Sequence, residues 1–235
     1  MENFNGSYVY KRGIKIPTIE ERENIKKLII SPGVTNIGNE AFLGSNNLEE
    51  IEFPNSLKRI GNWAFSYCYK LTHLTLPDNL NEIGEDAFMQ CRSLTNITIP
   101  DSVTSIGNSA FIWCTNLKNV KLPNNLNKIE YALFDHCTNL KTITIPHSVN
   151  EIKNLAFAYC TNLTNVIIPD TVTSISEDAF KDSKNVTIIC GRDSYAAQYA
   201  KENNINVKYI NESKKNNLEE NLSIIEAISY LNNMK

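Results

Sequence analysis

The chain has 235 residues and a formal net charge of −3, with 21% charged and 42% hydrophobic side chains. That balance excludes a strongly basic nucleic-acid-binding face, and no apolar run approaches the roughly 18 residues a membrane span needs. Met1–Tyr10 has no basic start followed by an apolar stretch, so no secretory signal is read there and the chain as it stands is expected in the cytoplasm.

Residues 1–24 read as an N-terminal cap. Tyr8 to Ile16 alternates around Arg12-Gly13, which predicts a small hairpin. Thr18-Ile-Glu-Glu21 is a capping-box pattern and predicts a short helix.

Residues 25–190 are periodic. Phenylalanine stands at 42, 65, 88, 111, 134, 157 and 180, an unbroken interval of 23 residues. Isoleucine keeps the step from Ile37 to Ile175, proline from Pro54 to Pro169, and cysteine from Cys68 to Cys160. A fixed period of this size means that each repeat is one unit that cannot bury its own apolar face, so stacked neighbours make the core. Seven repeats run from Ile25 to Asn185. A partial eighth begins with Val186 and Ile189 and fails at Gly191.

Leu48 to Lys70 shows the logic of one unit. Ile51 and Phe53 alternate as in a half-buried strand, and Pro54, which cannot donate to a ladder, ends it. Leu57 and Ile60 form a second, shorter apolar segment. Gly61, repeated at 38, 84 and 107, is expected to supply positive φ to a turn, although Glu130, Lys153 and Ser176 replace it later. Ala64-Phe65-x-x-Cys68 fits one helical turn with Phe65 and Cys68 inward.

Residues 191–210 read as a C-terminal cap, with Asp193 or Ser194 capping a helix from Tyr195 to Glu202 and a strand following at Ile205 to Ile210. Residues 211–217 form a polar linker. Leu218, Leu222, Ile225, Ile228 and Leu231 then make an apolar helical stripe, which can dock on the repeat flank or mediate partner contact or homo-oligomers through 218–232.

Five of the six cysteines share one column, too far apart along a ladder for disulfides, so buried reduced thiols are expected. His73, His136 and His147 lie in different columns, and no phosphate loop, HExxH or GxSxG pattern occurs. No enzyme activity, cofactor or metal is expected. On the strand, outward rows read Glu50, His73, Asn96, Asn119, Thr142, Asn165 and Glu52, Thr75, Thr98, Lys121, Thr144, Ile167, polar and without aromatics. Inside A-F-x-x-C, two rows read as outward: Tyr67, Gln90, Trp113, His136, Tyr159 and Ser66, Met89, Ile112, Asp135, Ala158. Aromatics stacked there suit a protein partner. The candidate contact residues are Tyr67, Met89, Ile112, Trp113, His136 and Tyr159, with mere shielding of the flank as the alternative.

The motif L-x-x-I-x-[IFL]-P-x-x-[VL]-x-x-I-G-x-x-A-F-x-x-C resembles the BspA-like leucine-rich repeat family across residues 25–190. Gly191 to Val207 also resembles that family's C-terminal end. The resemblance implies an α/β repeat: a curved, right-handed leucine-rich-repeat solenoid with a parallel β ladder, short helical turns and capped ends. It also implies non-catalytic, surface-associated adhesion or recognition of host or neighbouring-cell proteins, and hence a secreted or cell-surface location. The expected function is a rigid protein-binding or adhesion-type module, with a structural or self-assembling scaffold as the alternative.

Overall fold

A computed structural model describes residues 6–13 and 15–210; the predicted linker and helix of 211–235 lie outside the described residues. The chain winds into coils whose strands pair in parallel, and within the seven repeats paired residues stand 23 positions apart, as in Glu50 with His73 and Asn96 with Asn119. Ten strands run along one side, from Ser7–Tyr10 to Asn206–Tyr209. A second row of seven two-residue strands, Asn36–Ile37 to Ser174–Ile175, follows the Leu57-Ile60 type of segment. Side chains alternate along each strand, so the middle residues Ile51, Ile97 and Val166 are buried between exposed or half-buried neighbours.

The phenylalanines form the axis of the core. Six are fully buried and Phe180 nearly so. Successive rings stack at 5.4 to 5.7 Å with planes within 13°. Tyrosines close both ends of this column. Tyr8 and Tyr10 meet Phe42 edge-on at 6.4 and 5.6 Å, and Tyr199 lies 6.2 Å from Phe180 while its hydroxyl donates to the Glu177 carbonyl.

All six cysteines are free and buried. In the repeat column each thiol donates to the phenylalanine carbonyl of the preceding coil, Cys114 to Phe88 and Cys137 to Phe111 at 3.3 Å. Burial pushes the Cys68 and Cys114 thiols up to about 12, which keeps the proton that this bond requires. Ser183 continues the column, with Oγ donating to the Phe157 carbonyl at 2.7 Å.

Four expectations are corrected. The Tyr8–Ile16 segment is not a hairpin: Ser7–Tyr10 pairs in parallel with Lys27–Ile30, because the open ladder edge offers a better partner than a strand of its own. The A-F-x-x-C segment is not a helical turn in the middle coils. It is a run of tight turns, closed by Ala64 N to Gly61 O and Cys68 N to Phe65 O, with left-handed residues Trp63 and Tyr67 third in each. That is the type II turn signature; a short 3-10 helix appears in the last coil, Glu177–Phe180.

The repeated glycine does not supply positive φ. A Cβ on Gly61, Gly84 or Gly107 would lie 2.3 to 2.7 Å from the preceding coil's backbone, so the position serves close approach of two chains. Finally, the eighth repeat is one residue short. Val166 pairs with Ile188, and Ile188 rather than Ile189 is the fully buried residue.

A short helix lies at each end of the described repeats. Thr18 and Glu21 make the reciprocal capping box of helix Ile19–Glu23. Ser194 accepts from Ala197 N at the start of helix Tyr195–Glu202, whose Ala196, Tyr199 and Ala200 cover the core end.

Candidate protein-binding surface

The second left-handed position of each coil forms a column: Gly44, Tyr67, Gln90, Trp113, His136, Tyr159 and Asp182, with φ between 52° and 74°. For bulky residues this conformation costs on the order of 1 kcal/mol each. It persists because the backbone is tied to the next coil. Tyr67 N donates to Met89 O, Trp113 N to Asp135 O and His136 N to Ala158 O, at 2.8 to 2.9 Å. Side chains one period apart are therefore held over one another.

Three of them form a continuous stack. The Trp113 and His136 rings lie 3.7 Å apart, and His136 and Tyr159 lie 4.4 Å apart, all within 22° of parallel. His136 Nδ1 is 2.7 Å from Asp135 Oδ1, which fixes the imidazole in the plane of the stack. Burial pushes the Asp135 carboxyl above its ordinary value, and the neighbouring His136 pulls it back down. The ring faces are spent on each other, so the stack presents ring edges outward, with Trp113 the most open at 37% exposure.

Tyr67 stands apart from this stack, separated by Gln90. It packs edge-on against Tyr69 at 6.1 Å. Arg92 lies over the Tyr69 ring at 5.2 Å and donates to Gln90 Oε1 at 2.6 Å. Tyr69 and Arg92 thus extend the strip, and the sequence reading missed them; their signal was aromatic and guanidinium character two places beyond the strip column. The adjoining row is a correction. Ser66, Asp135 and Ala158 are buried and Met89 and Ile112 half-buried, so this row underlies the strip. Ser66 Oγ spends its proton on the Asp86 carbonyl.

The strand face carries its polar rows outward or half-buried. Glu50 and Glu52 both receive Lys27 of the preceding coil. Among the described residues no three His, Cys, Asp or Glu side chains converge to hold a metal ion, and no helix is long and apolar enough to cross a membrane.

The model of the BspA type leucine rich repeat region matches six copies, over residues 18–101 and 81–200. The chain belongs to the BspA-type leucine-rich repeat family. No protein of curated function matches it. Among solved structures, a leucine-rich repeat protein from Bacteroides ovatus is 25% identical over 80% of this chain and 61% of its own, with a TM-score of 0.56. The T. pallidum leucine-rich repeat protein is 31% identical over 60% of this chain and 66% of its own, at 0.57. A leucine-rich cell surface protein from Faecalibacterium prausnitzii, 23% identical over 83% and 63%, shares the fold at 0.52. The chain spans a little over three fifths of the Bacteroides and Faecalibacterium proteins' length.

Proposed function

We propose that this BspA-type repeat chain is a non-catalytic, adhesion-type module that grips a protein on a host or neighbouring cell. The observation behind this reading is the Trp113–His136–Tyr159 stack, locked by ladder hydrogen bonds before any partner arrives. Preorganised aromatics lose little freedom on binding, which favours affinity, and Trp, Tyr and Arg are the residues that dominate interface energies. The Faecalibacterium protein's description as a cell surface protein supports a surface setting.

The test is binding of the fluorescently labelled chain to intact epithelial and bacterial cells, before and after mild protease treatment of those cells. The Trp113→Gly, Tyr159→Gly double variant keeps the turn, since Gly44 already occupies this column. Protease-sensitive binding by the wild type and its loss in the folded variant are expected. Equal binding by the two would remove the strip from the function.

A further inference from the structure

The long ladder is not continuous. Strand His73–Leu74 pairs with Glu50–Ile51, and Asn96–Thr98 pairs with Asn119–Lys121, but no strand pairing joins His73–Leu74 to Asn96–Thr98. Elsewhere the same two coils stay tight. Ile83 pairs with Ile106, and the Phe88 and Phe111 rings stack at 5.5 Å. The two coils therefore lose their ladder pairing on the strand face alone.

The residue before the proline tracks the interruption. Where isoleucine precedes the proline, its N–H bonds the next coil: Ile99 to Lys121 O, Ile145 to Ile167 O and Ile168 to Ile189 O, at 2.9 to 3.0 Å. At Phe53, Leu76 and Leu122 no such bond forms, and the ladder is interrupted after the two leucines. A β-branched residue stiffens the extended backbone, and leucine does not.

At the Leu76 interruption the surface sinks into a groove of about 460 Å³, within the roughly 300–1,000 Å³ of small-ligand sites. Its floor is Leu74, Leu76 and Ile97, and its walls carry the Thr75 and Thr98 hydroxyls, Asp78 and the His73 imidazole. Thr72 Oγ1 engages His73 Nδ1 at 2.9 Å, which orients the ring and leaves Nε2 for a ligand. The Asn96 amide is already engaged by Thr95 and Asn119, so it stiffens the wall. No lysine or arginine lines the groove.

We propose that this groove is a subsite for one residue of a neutral saccharide. Hydroxyls, a carboxylate and an imidazole offer the mixture of donors and acceptors that sugar hydroxyls match. The apolar floor suits the C–H face of a pyranose, and the lack of any cation in the lining disfavours sialylated, uronic or phosphorylated sugars. The site lies on the strand face and stands independently of the aromatic strip.

Saturation-transfer NMR on the full chain tests it, with the methyl glycosides of glucose, galactose, mannose and N-acetylglucosamine, their disaccharides, and sialic and glucuronic acids as acidic counterparts. At least one neutral sugar is expected to receive saturation, with affinity reduced about tenfold in Thr75→Val, Thr98→Val. Thr144→Val, on the same face two coils away, is expected to leave it unchanged. No transfer to any neutral sugar, preference for the acidic ones, or equal loss in the Thr144 variant would each overturn the assignment.

Discussion

The coils before and after Glu130 bury the same columns but differ at one outer corner. In the first half, Gly61, Gly84 and Gly107 each sit where a Cβ would overlap the preceding coil's main chain, and the two-residue strands from Asn36–Ile37 to Ser105–Ile106 form one sheet. In the second half, Glu130, Lys153 and Ser176 carry side chains there, and the strands from Lys128–Ile129 to Ser174–Ile175 form another. The break falls between Ile106 and Ile129, where the first Cβ meets the last glycine coil. Glu130 is held in its new place by Lys128 and Lys153, at 3.1 and 2.7 Å. The core does not register the change, because the Phe111 and Phe134 rings still stack at 5.7 Å. The phenylalanine axis sets coil spacing, and the outer corner adapts to it.

Three substitutions probe this division, beginning with the most damaging. Phe111→Ala, in the coil that ends the glycine run, removes a ring stacked on both neighbours and should cost about 3–5 kcal/mol, read as a lowered urea midpoint. Since stability in a solenoid passes between nearest neighbours, the two halves should then melt at separate midpoints; a single unshifted transition would contradict the role given to the axis. Gly107→Ala puts a methyl group 2.3 Å from the Glu85 nitrogen and should cost about 1–3 kcal/mol, whereas Ser176→Ala in the other half should be nearly silent. Equal effects would mean that close approach is not what the glycine provides.

The smallest effect concerns the other left-handed column, which holds Asp86 in the first half and Ala132 and Leu155 in the second. Burial raises the Asp86 carboxyl from 3.8 to about 6. The folded protein thus holds that proton more tightly than the unfolded chain does. Stability from this group is present below pH 3.8 and is lost as the pH rises through 6. Asp86→Asn keeps a residue tolerant of left-handed φ and should raise the melting temperature at pH 7 but not at pH 3.5. A gain at both values would point to a cause other than ionisation.

Much of the architecture was legible because a 23-residue period forces equivalent residues into contact. Phe42 to Phe180 and the column of reduced cysteines followed from that, and the helix starts at Thr18 and Ser194 from local capping patterns. The turn after Ala64 did not, because an i, i+3 inward pair such as Phe65 and Cys68 fits a helical turn and a type II turn equally. Backbone conformation separates them, and Tyr67 or Trp113 at positive φ is what a propensity argument would reject. Gly44 at the head of their column carried the hint. The candidate strip was partly legible: the column from Tyr67 to Tyr159 does reach the surface, but the helical reading turned Ser66, Asp135 and Ala158 outward. The groove beside His73 was hidden in the difference between two isomeric side chains, leucine at 76 and isoleucine at 99.

The left-handed column from Gly44 to Asp182 admits glycine, glutamine, tryptophan, histidine, tyrosine and aspartate on one and the same scaffold. From Gly44 to Tyr159 each N–H of this column bonds the adjoining coil without reference to the side chain that projects from it. Such a surface can be respelled one letter per coil while the interior stays untouched, and adding or deleting a coil lengthens or shortens the text by a single character.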